Sequence, residues 1–228
     1  MTEPRLEVRA AGGPTTAVAL FCHGGTVASV EPPRDRALSL VRMRAVEQYV
    51  SAAGSGRGLT TCLLRYRVAG WNGMAADAFA DVRWALARVR EEHGDVPVVL
   101  VGHSMGGRAV LRAGGEPQVR AVCGLAPWTP PGEPVAHLRG ATVAILHGRR
   151  DRWVPAELSA GFAQRAQAAG AHVARFTVAG GHSMVRRALV WHAFARDVVL
   201  AGTGLAPMRP DVADALARAD EESLALAL

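Results

Sequence analysis

Six short apolar runs alternate along the chain with longer segments of helical periodicity. The runs are almost continuously hydrophobic, as in strands that are covered on both faces of a sheet. They span residues 17–22, 59–66, 96–101, 119–125, 141–146 and 171–178. The helical segments between them span roughly residues 37–53, 74–93, 105–113, 156–169 and 185–200. This order predicts an α/β domain with a doubly wound, mostly parallel sheet and helices on both faces.

The C-terminal part of the chain differs in composition from the rest. We assign residues 1–200 to the α/β domain, whereas residues 201–210 have the composition of a loop and residues 211–228 that of an acidic helix. Docking of this tail on the domain, contact with a second copy in a homodimer, and fraying are all open from the sequence. We favour a docked or partly disordered tail.

The 228-residue chain carries a formal charge of +6, but its basic residues are not distributed as nucleic-acid binding requires. All 26 are arginines, and the adjacent pairs are at residues 149–150 and 186–187 only. A nucleic-acid interface concentrates basic residues on one face or one helix. We therefore expect no nucleic-acid partner.

Cysteine placement and the lack of long apolar segments predict the compartment. Cys22, Cys62 and Cys123 lie in strand-like apolar runs, which is typical of buried free thiols in a reducing environment. Residues 1–8 lack the apolar core of a secretory signal, and no apolar stretch has the length of a membrane span. We expect a cytoplasmic protein with no membrane partner.

A serine stands in the turn between the predicted strand 96–101 and the helix that follows. The sequence GHSMGG at residues 102–107 contains G-x-S-x-G in the setting that gives this motif meaning, namely strand, sharp turn and helix. The glycines allow neighbouring backbones to approach, and the turn exposes Ser104 at its apex. The sequence therefore indicates Ser104 as a candidate nucleophile.

An acid and a histidine follow two later strands. Asp151 comes shortly after the strand 141–146, and His182 lies in a glycine loop after the strand 171–178. Because the carboxyl ends of parallel strands meet at one edge of a sheet, His182 can accept the proton of Ser104 while Asp151 orients its ring. Taken alone, Asp151 equally fits a helix cap or an arginine partner, and His182 a surface loop. The order Ser, acid, His, each after a separate strand, favours the catalytic interpretation.

The first apolar run leads into a second glycine turn, His23-Gly24-Gly25-Thr26. An oxyanion hole needs two backbone donors, and the expected pair is the N–H of Met105 and the N–H of Gly25. Thr26 is the alternative for the second donor. His23 in this turn, like the histidine that precedes Ser104, is interpreted as a structural residue and not as a base.

Four segments together, LFCHGG, VGHSMGG, ILHGRRD and GGHSM, resemble the α/β-hydrolase superfamily, over a span from about residue 6 to residue 200. The similarity is to branches without a lid, such as dienelactone-hydrolase-like proteins and small serine carboxylesterases. It implies Ser104 as nucleophile, His182 as general base and acid, and Asp151 as the orienting group. Dienelactone hydrolases proper use a cysteine nucleophile where this chain has Ser104, so lactone specificity is not implied.

The substrate pocket is predicted from tryptophans near strand ends. Superfamily cap domains commonly enter after the strand that follows the elbow helix, and here that connection, residues 126–140, is short and rich in proline. We therefore expect an open site, with Thr26, Trp71 and Trp128 as candidate pocket residues. Trp153 is interpreted as support for the loop that carries the acid. No His, Cys, Asp and Glu spacing indicates a metal site, and we expect no metal and no cofactor.

The sequence thus predicts a serine hydrolase that cleaves a small-molecule ester or other acyl substrate through an acyl-enzyme. Two alternatives remain open: a thioesterase or acyltransferase with the same residues, and a non-catalytic ligand-binding protein on the same fold. Three arginines, Arg149, Arg150 and Arg152, surround the acid. They are expected to be solvated surface residues, with attraction of an anionic substrate as the alternative.

Overall fold

A computed structural model describes residues 3–218 and 220–228 of the chain. Its centre is an eight-stranded sheet in the order β1-β3-β2-β4-β5-β6-β7-β8, in which β1 is antiparallel to β3 and the other pairs are parallel. The strands are β1 (Arg5–Arg9), β2 (Ala17–Cys22), β3 (Leu59–Arg65), β4 (Val98–His103), β5 (Val119–Leu125), β6 (Thr142–Gly148), β7 (His172–Val178) and β8 (Leu226–Ala227). The prediction of a mostly parallel α/β sheet is confirmed.

Helices cover both faces of this sheet. They are α1 (Leu38–Gly54), α2 (Asp77–His93), α3 (Met105–Arg112), α4 (Ala156–Ala168), α5 (Ala188–Gly202) and α6 (Pro210–Arg218). Alternate residues of β2 show the two layers: Val18 and Leu20 belong to the core beneath α2, α3 and α4, whereas Ala19 and Phe21 belong to the core beneath α1, α5 and α6. Every residue of β2 is buried, which explains its unbroken apolar sequence.

All six predicted strands and five predicted helices are present, with ends that shift by a few residues. Two strands were not predicted. β1 has the sequence RLEVR, and its charged residues are compatible with an edge strand, where one side of the backbone faces solvent. β8 has only two residues, too few for any sequence pattern.

The prediction of one acidic helix over residues 211–228 is wrong beyond Arg218. After α6 the chain forms a single 3₁₀ turn at Glu222–Leu224 and then β8, which pairs with β7. Buried Arg175 on β7 donates to the carbonyl of Leu224, and Ser223 donates to the carbonyl of Val173. These contacts seat the C-terminal residues against the last long strand.

Within the described residues, no cap covers the carboxyl ends of the parallel strands. Residues 126–141, all within the described part, connect β5 to β6 with one 3₁₀ turn, Ala136–Leu138, and no helical cap. Loops after β2, β4, β6 and β7 therefore meet at the carboxyl edge without a covering domain. Among the residues described, no helix is long and apolar enough to cross a membrane.

Candidate active site

Ser104 occupies a strained turn between β4 and α3. Its φ of 55° and ψ of −118° lie in a region that residues with a side chain rarely adopt. A Cβ on Gly102 would lie 2.3 Å from the Gly106 carbonyl oxygen, and one on Gly106 would lie 2.2 Å from the Cys22 carbonyl oxygen. Only glycine fits at both positions: at Gly102 because the start of α3 packs against it, and at Gly106 because the end of β2 does.

The structure brings Ser104, His182 and Asp151 into one hydrogen-bonded chain. Ser104 Oγ lies 2.9 Å from His182 Nε2, and His182 Nδ1 lies 2.7 Å from Asp151 Oδ2. A carboxylate can only accept, so Nδ1 carries the imidazole proton and donates it to Asp151. The unprotonated Nε2 then accepts the hydrogen bond from the serine hydroxyl. The three residues are therefore connected as a nucleophile, a base and an orienting acid require.

Asp151 is held as a carboxylate by several donors. Burial alone would raise its pKa, but hydrogen bonds from His147, from His182 and from the backbone N–H of Val154 hold the pKa well below its usual range. Asp151 Oδ1 also accepts from the backbone N–H of Trp153 at 2.9 Å. These backbone donors belong to the loop before α4, and no side chain caps that helix, so the interpretation of Asp151 as a helix cap is wrong.

His147, which the sequence analysis did not assign, lies directly behind the acid. Its side chain is completely buried, and its Nε2 lies 3.0 Å from the Val154 carbonyl and 3.3 Å from Asp151 Oδ2. Nε2 donates, because a carbonyl and a carboxylate both accept. In the sequence, the only indication of this contact is that a histidine stands at the end of the same strand, four residues before the acid.

His103 and His23 have the structural roles predicted for them. Burial, and then the nearby His182, lowers the pKa of His103 to about 3, so its ring is neutral and Nε2–H donates to the His182 carbonyl at 2.9 Å. Burial lowers the pKa of His23 to about 4, and its Nδ1–H donates to the Gly24 carbonyl at 2.7 Å. His103 therefore fixes the backbone of the residue whose side chain meets Ser104.

Gly25 and Met105, the two predicted backbone donors, are neighbours that line the same cavity as Ser104. Met105 is the first residue of α3, and Gly25 packs against its side chain: a Cβ on Gly25 would lie 2.4 Å from Met105 Cε. The N–H of Thr26 donates to the Ala69 carbonyl at 2.8 Å. Within the described residues, the N–H groups of Gly25 and Met105 have no such acceptor.

An open cavity of about 370 Å³ lies beside Ser104. Thr26 and Trp128 line it as predicted, but Trp71 does not. Trp71 is 2% exposed and lies behind Trp128, with the two ring centres 6.3 Å apart. Trp153 lines the cavity instead, with a side chain that is 79% exposed and a ring centre 5.8 Å from that of His182. Trp153 supports the loop that carries Asp151 only through its backbone N–H, which donates to Asp151. Its side chain does not have the predicted supporting role.

A buried charge network supports the Trp128 side of the cavity. The Arg108 guanidinium lies 3.9 Å from the Trp71 ring centre and 4.7 Å from the Trp128 ring centre. Glu133, whose side chain is 1% exposed, accepts from Arg108 at 2.6 Å and from Arg112. The acid thus fixes a guanidinium between the two indoles, which makes this wall rigid.

Helix α1 also contributes to the lining of the cavity, which the sequence did not predict. Leu38, Ser39 and Arg42 of its first two turns line the cavity. Nothing in the amphipathic pattern of α1 distinguished these residues from an ordinary solvated helix face.

Comparison with known proteins agrees with this fold. The family model of the alpha/beta hydrolase fold matches residues 44–179. Among solved structures, Est1E from Butyrivibrio proteoclasticus with ferulic acid bound superposes with a TM-score of 0.67 at 12% identity, over 88% of this chain and 96% of that one. XC6422 from Xanthomonas campestris, a serine hydrolase without a lid, gives 0.61 at 15% identity over 91% of each chain.

A third solved structure is the thermophilic esterase Est2 of Thermogutta terrifontis with propionate bound. It gives a TM-score of 0.65 at 20% identity, over 91% of this chain and 92% of that one. No curated protein is significantly similar in sequence. The matched family model covers more than half of the chain, and the sheet topology agrees with it. The chain therefore belongs to the α/β-hydrolase fold family.

Proposed function

We propose that the protein is a serine hydrolase that cleaves carboxylic esters through an acyl-enzyme intermediate. The observation that carries this proposal is the hydrogen-bonded chain from Ser104 through His182 to Asp151, at an open cavity. The esterases among the similar folds support it, since one is bound to ferulic acid and another to propionate. The alternative of a non-catalytic binding protein is disfavoured because all three side chains are within hydrogen-bonding distance.

In the first half-reaction His182 Nε2 takes the hydroxyl proton of Ser104 while Oγ forms a bond to the ester carbonyl carbon. The carbonyl π electrons move onto oxygen, which becomes an oxyanion. The N–H groups of Met105 and Gly25 are the donors for it, because the N–H of Thr26 is already bonded to Ala69. The oxyanion collapses, the carbon–oxygen bond to the alcohol breaks, and His182 gives its proton to the departing oxygen.

In the second half-reaction water replaces the alcohol. His182 takes one proton from the water as its oxygen attacks the acyl carbon, and the bond to Ser104 Oγ then breaks. His182 returns the proton to Oγ, which restores the serine and releases the carboxylic acid. Asp151 remains a carboxylate throughout and stabilises the imidazolium that forms in each half.

Labelling by a fluorophosphonate probe tests the proposal. We expect the probe to modify Ser104, and Ser104→Ala and His182→Ala to lower kcat/KM for p-nitrophenyl acetate by at least about a thousandfold. The exposed residues Ser55 and His172 provide matched controls, because Ser55→Ala and His172→Ala remove the same groups far from the cavity. A folded Ser104→Ala variant with wild-type turnover would refute the proposal.

A further inference from the structure

Arg42 is the charged residue of the substrate cavity. It lies in the second turn of α1, is half-buried, and lines the same 370 Å³ space as Ser104. The lining contains no aspartate or glutamate, and its other polar side chains are uncharged residues and histidines. A reactive serine and a single guanidinium therefore face one cavity.

This guanidinium has no counterion within the described residues. Arg42 takes part in none of the ion pairs, side-chain hydrogen bonds or arginine–ring contacts found there. Two residues further along α1, Arg44 donates to both carboxylate oxygens of Glu7 at 2.8 Å. Arg108, behind Trp128, forms an ion pair with Glu133, which it shares with Arg112. Arg44 and Arg108 are thus each paired with a carboxylate, whereas Arg42 in the cavity has no partner among the described residues.

An unpaired, partly buried cation favours an anion from outside the protein. Removing a charge from water costs free energy that a counterion and its hydrogen bonds offset. A guanidinium presents parallel N–H donors that match the two oxygens of a carboxylate. The cavity volume falls within the range of small-molecule sites, so one ligand has room to reach both Ser104 and Arg42.

Two further arginines extend the positive charge around the mouth of the cavity. Arg150 and Arg152 line a neighbouring cleft of about 220 Å³ that shares Trp153 and His182 with the first cavity. Neither forms an ion pair within the described residues, and both are exposed. Exposed charges of this kind act mainly by long-range attraction that salt screens, in contrast to a direct contact inside the cavity.

We propose that the substrate is an anionic ester, and that Arg42 binds a carboxylate carried by the same molecule whose ester bond is cleaved. This inference rests on the proposed function and names its substrate class. Arg42 is a binding residue: it contacts a part of the substrate that does not react. Its loss therefore changes the discrimination between anionic and neutral esters.

The test compares esters that differ only in charge. For an anion in the acyl part, the pair is p-nitrophenyl hydrogen adipate and its neutral amide, p-nitrophenyl adipamate. For an anion in the leaving group, the pair is 4-carboxyphenyl acetate and 4-carbamoylphenyl acetate. The measured quantity is the ratio of kcat/KM for the anionic ester to that for the neutral one, in wild type and in variants. Intrinsic reactivity cancels when the ratios of two proteins are compared.

We expect Arg42→Gln to lower this ratio by at least about tenfold for one of the pairs, mainly through a higher KM for the anionic ester. Arg42→Lys is expected to give an intermediate ratio, because an ammonium keeps the charge without the fork of donors. Arg57, exposed beyond the far end of α1, provides the matched control, and Arg57→Gln should keep the wild-type ratio. Arg57→Gln should also hydrolyse neutral esters at the wild-type rate.

Failure of this inference is distinguishable from failure of the proposed function. If Ser104 is labelled and neutral esters are cleaved, but Arg42→Gln keeps the wild-type ratio for both pairs, the inference alone is refuted. A ratio that falls in Arg150→Gln/Arg152→Gln and not in Arg42→Gln also refutes the assignment to Arg42. If Ser104 is neither labelled nor needed for turnover, the proposed function fails, and the inference with it.

If the fluorophosphonate labels Ser104 but none of the four esters is cleaved, the inference is tested by protection from labelling. Protection of Ser104 from the fluorophosphonate is then measured with monomethyl adipate and with its neutral amide, methyl adipamate. The anionic compound should slow labelling more strongly in wild type than in Arg42→Gln. Equal protection in the two proteins would refute the inference.

Discussion

Acidification from pH 7.5 to pH 5 should destabilise the protein strongly, because two histidines are buried in neutral form. Burial lowers the pKa of His103 to about 3 and that of His23 to about 4, from an ordinary value of 6.5. In the unfolded chain both take up a proton near pH 6.5, whereas in the folded protein both stay neutral down to pH 5. Since the unfolded state binds more protons, the free energy of unfolding falls as the pH is lowered.

The magnitude follows from the pKa difference. At pH 5 the unfolded chain gains about 2 kcal/mol for each histidine, because pH 5 lies 1.5 units below the ordinary pKa. The two together lower the free energy of unfolding by about 4 kcal/mol, and at pH 7.5 their effect is close to zero. Burial also lowers the pKa of His192, which adds a contribution of the same sign.

Urea denaturation at pH 7.5, 6 and 5, followed by circular dichroism, measures this loss. His103→Gln keeps an N–H donor for the His182 carbonyl but does not titrate, so the variant should lose about 2 kcal/mol less than wild type between pH 7.5 and pH 5. Asp151 acts in a separate window: its pKa is lowered, so the stability that it provides is lost only below about pH 4. Equal free energies of unfolding for wild type at pH 7.5 and pH 5 would refute the reasoning.

Two substitutions test the packing around the cavity. Glu133→Gln leaves Arg108 and Arg112 without their buried counterion. The free energy of unfolding, measured by urea denaturation, should therefore fall by about 3–5 kcal/mol. A loss under about 1 kcal/mol would contradict a buried ion pair. Gly106→Ala places a Cβ 2.2 Å from the Cys22 carbonyl, which must displace the turn that holds the serine, so kcat should fall by about a hundredfold or more. Gly13→Ala, where a Cβ meets nothing within 4 Å, should leave kcat unchanged, and equal kcat values in the two variants would show that the turn tolerates the added atom.

Much of the fold could be predicted because a strand that is buried on both faces of the sheet has an almost continuously apolar sequence. Strands such as β2 are unbroken apolar runs, since every side chain meets a helix layer. The residues Ser104, Asp151 and His182 could be singled out for a related reason. In a parallel sheet the carboxyl ends of strands share one edge, so a position just after a strand also indicates a position in space.

What the sequence could not provide depends on contacts between distant segments. β8 has two residues, and its pairing with β7 is set by tertiary contacts, such as the bond from Arg175 to the Leu224 carbonyl. Trp71 and Trp128 both follow strands, yet only Trp128 reaches the cavity, because Trp71 lies behind it against Arg108. Arg42 lies in a helix with an ordinary amphipathic sequence. Its lack of a counterion among the described residues could be recognised only from the structure.

The pairing of β8 with β7 has a consequence for the edge of the sheet. β7 would otherwise end the sheet as a seven-residue strand with a free row of backbone N–H and C=O groups, which is a template for adding strands from another molecule. Leu226, Ala227 and the N–H of Leu228, which donates to Thr177, occupy the carboxyl half of that row. This half of the row therefore no longer offers free backbone groups to a strand of another molecule. The C-terminal residues thus protect the strand from which the histidine loop departs.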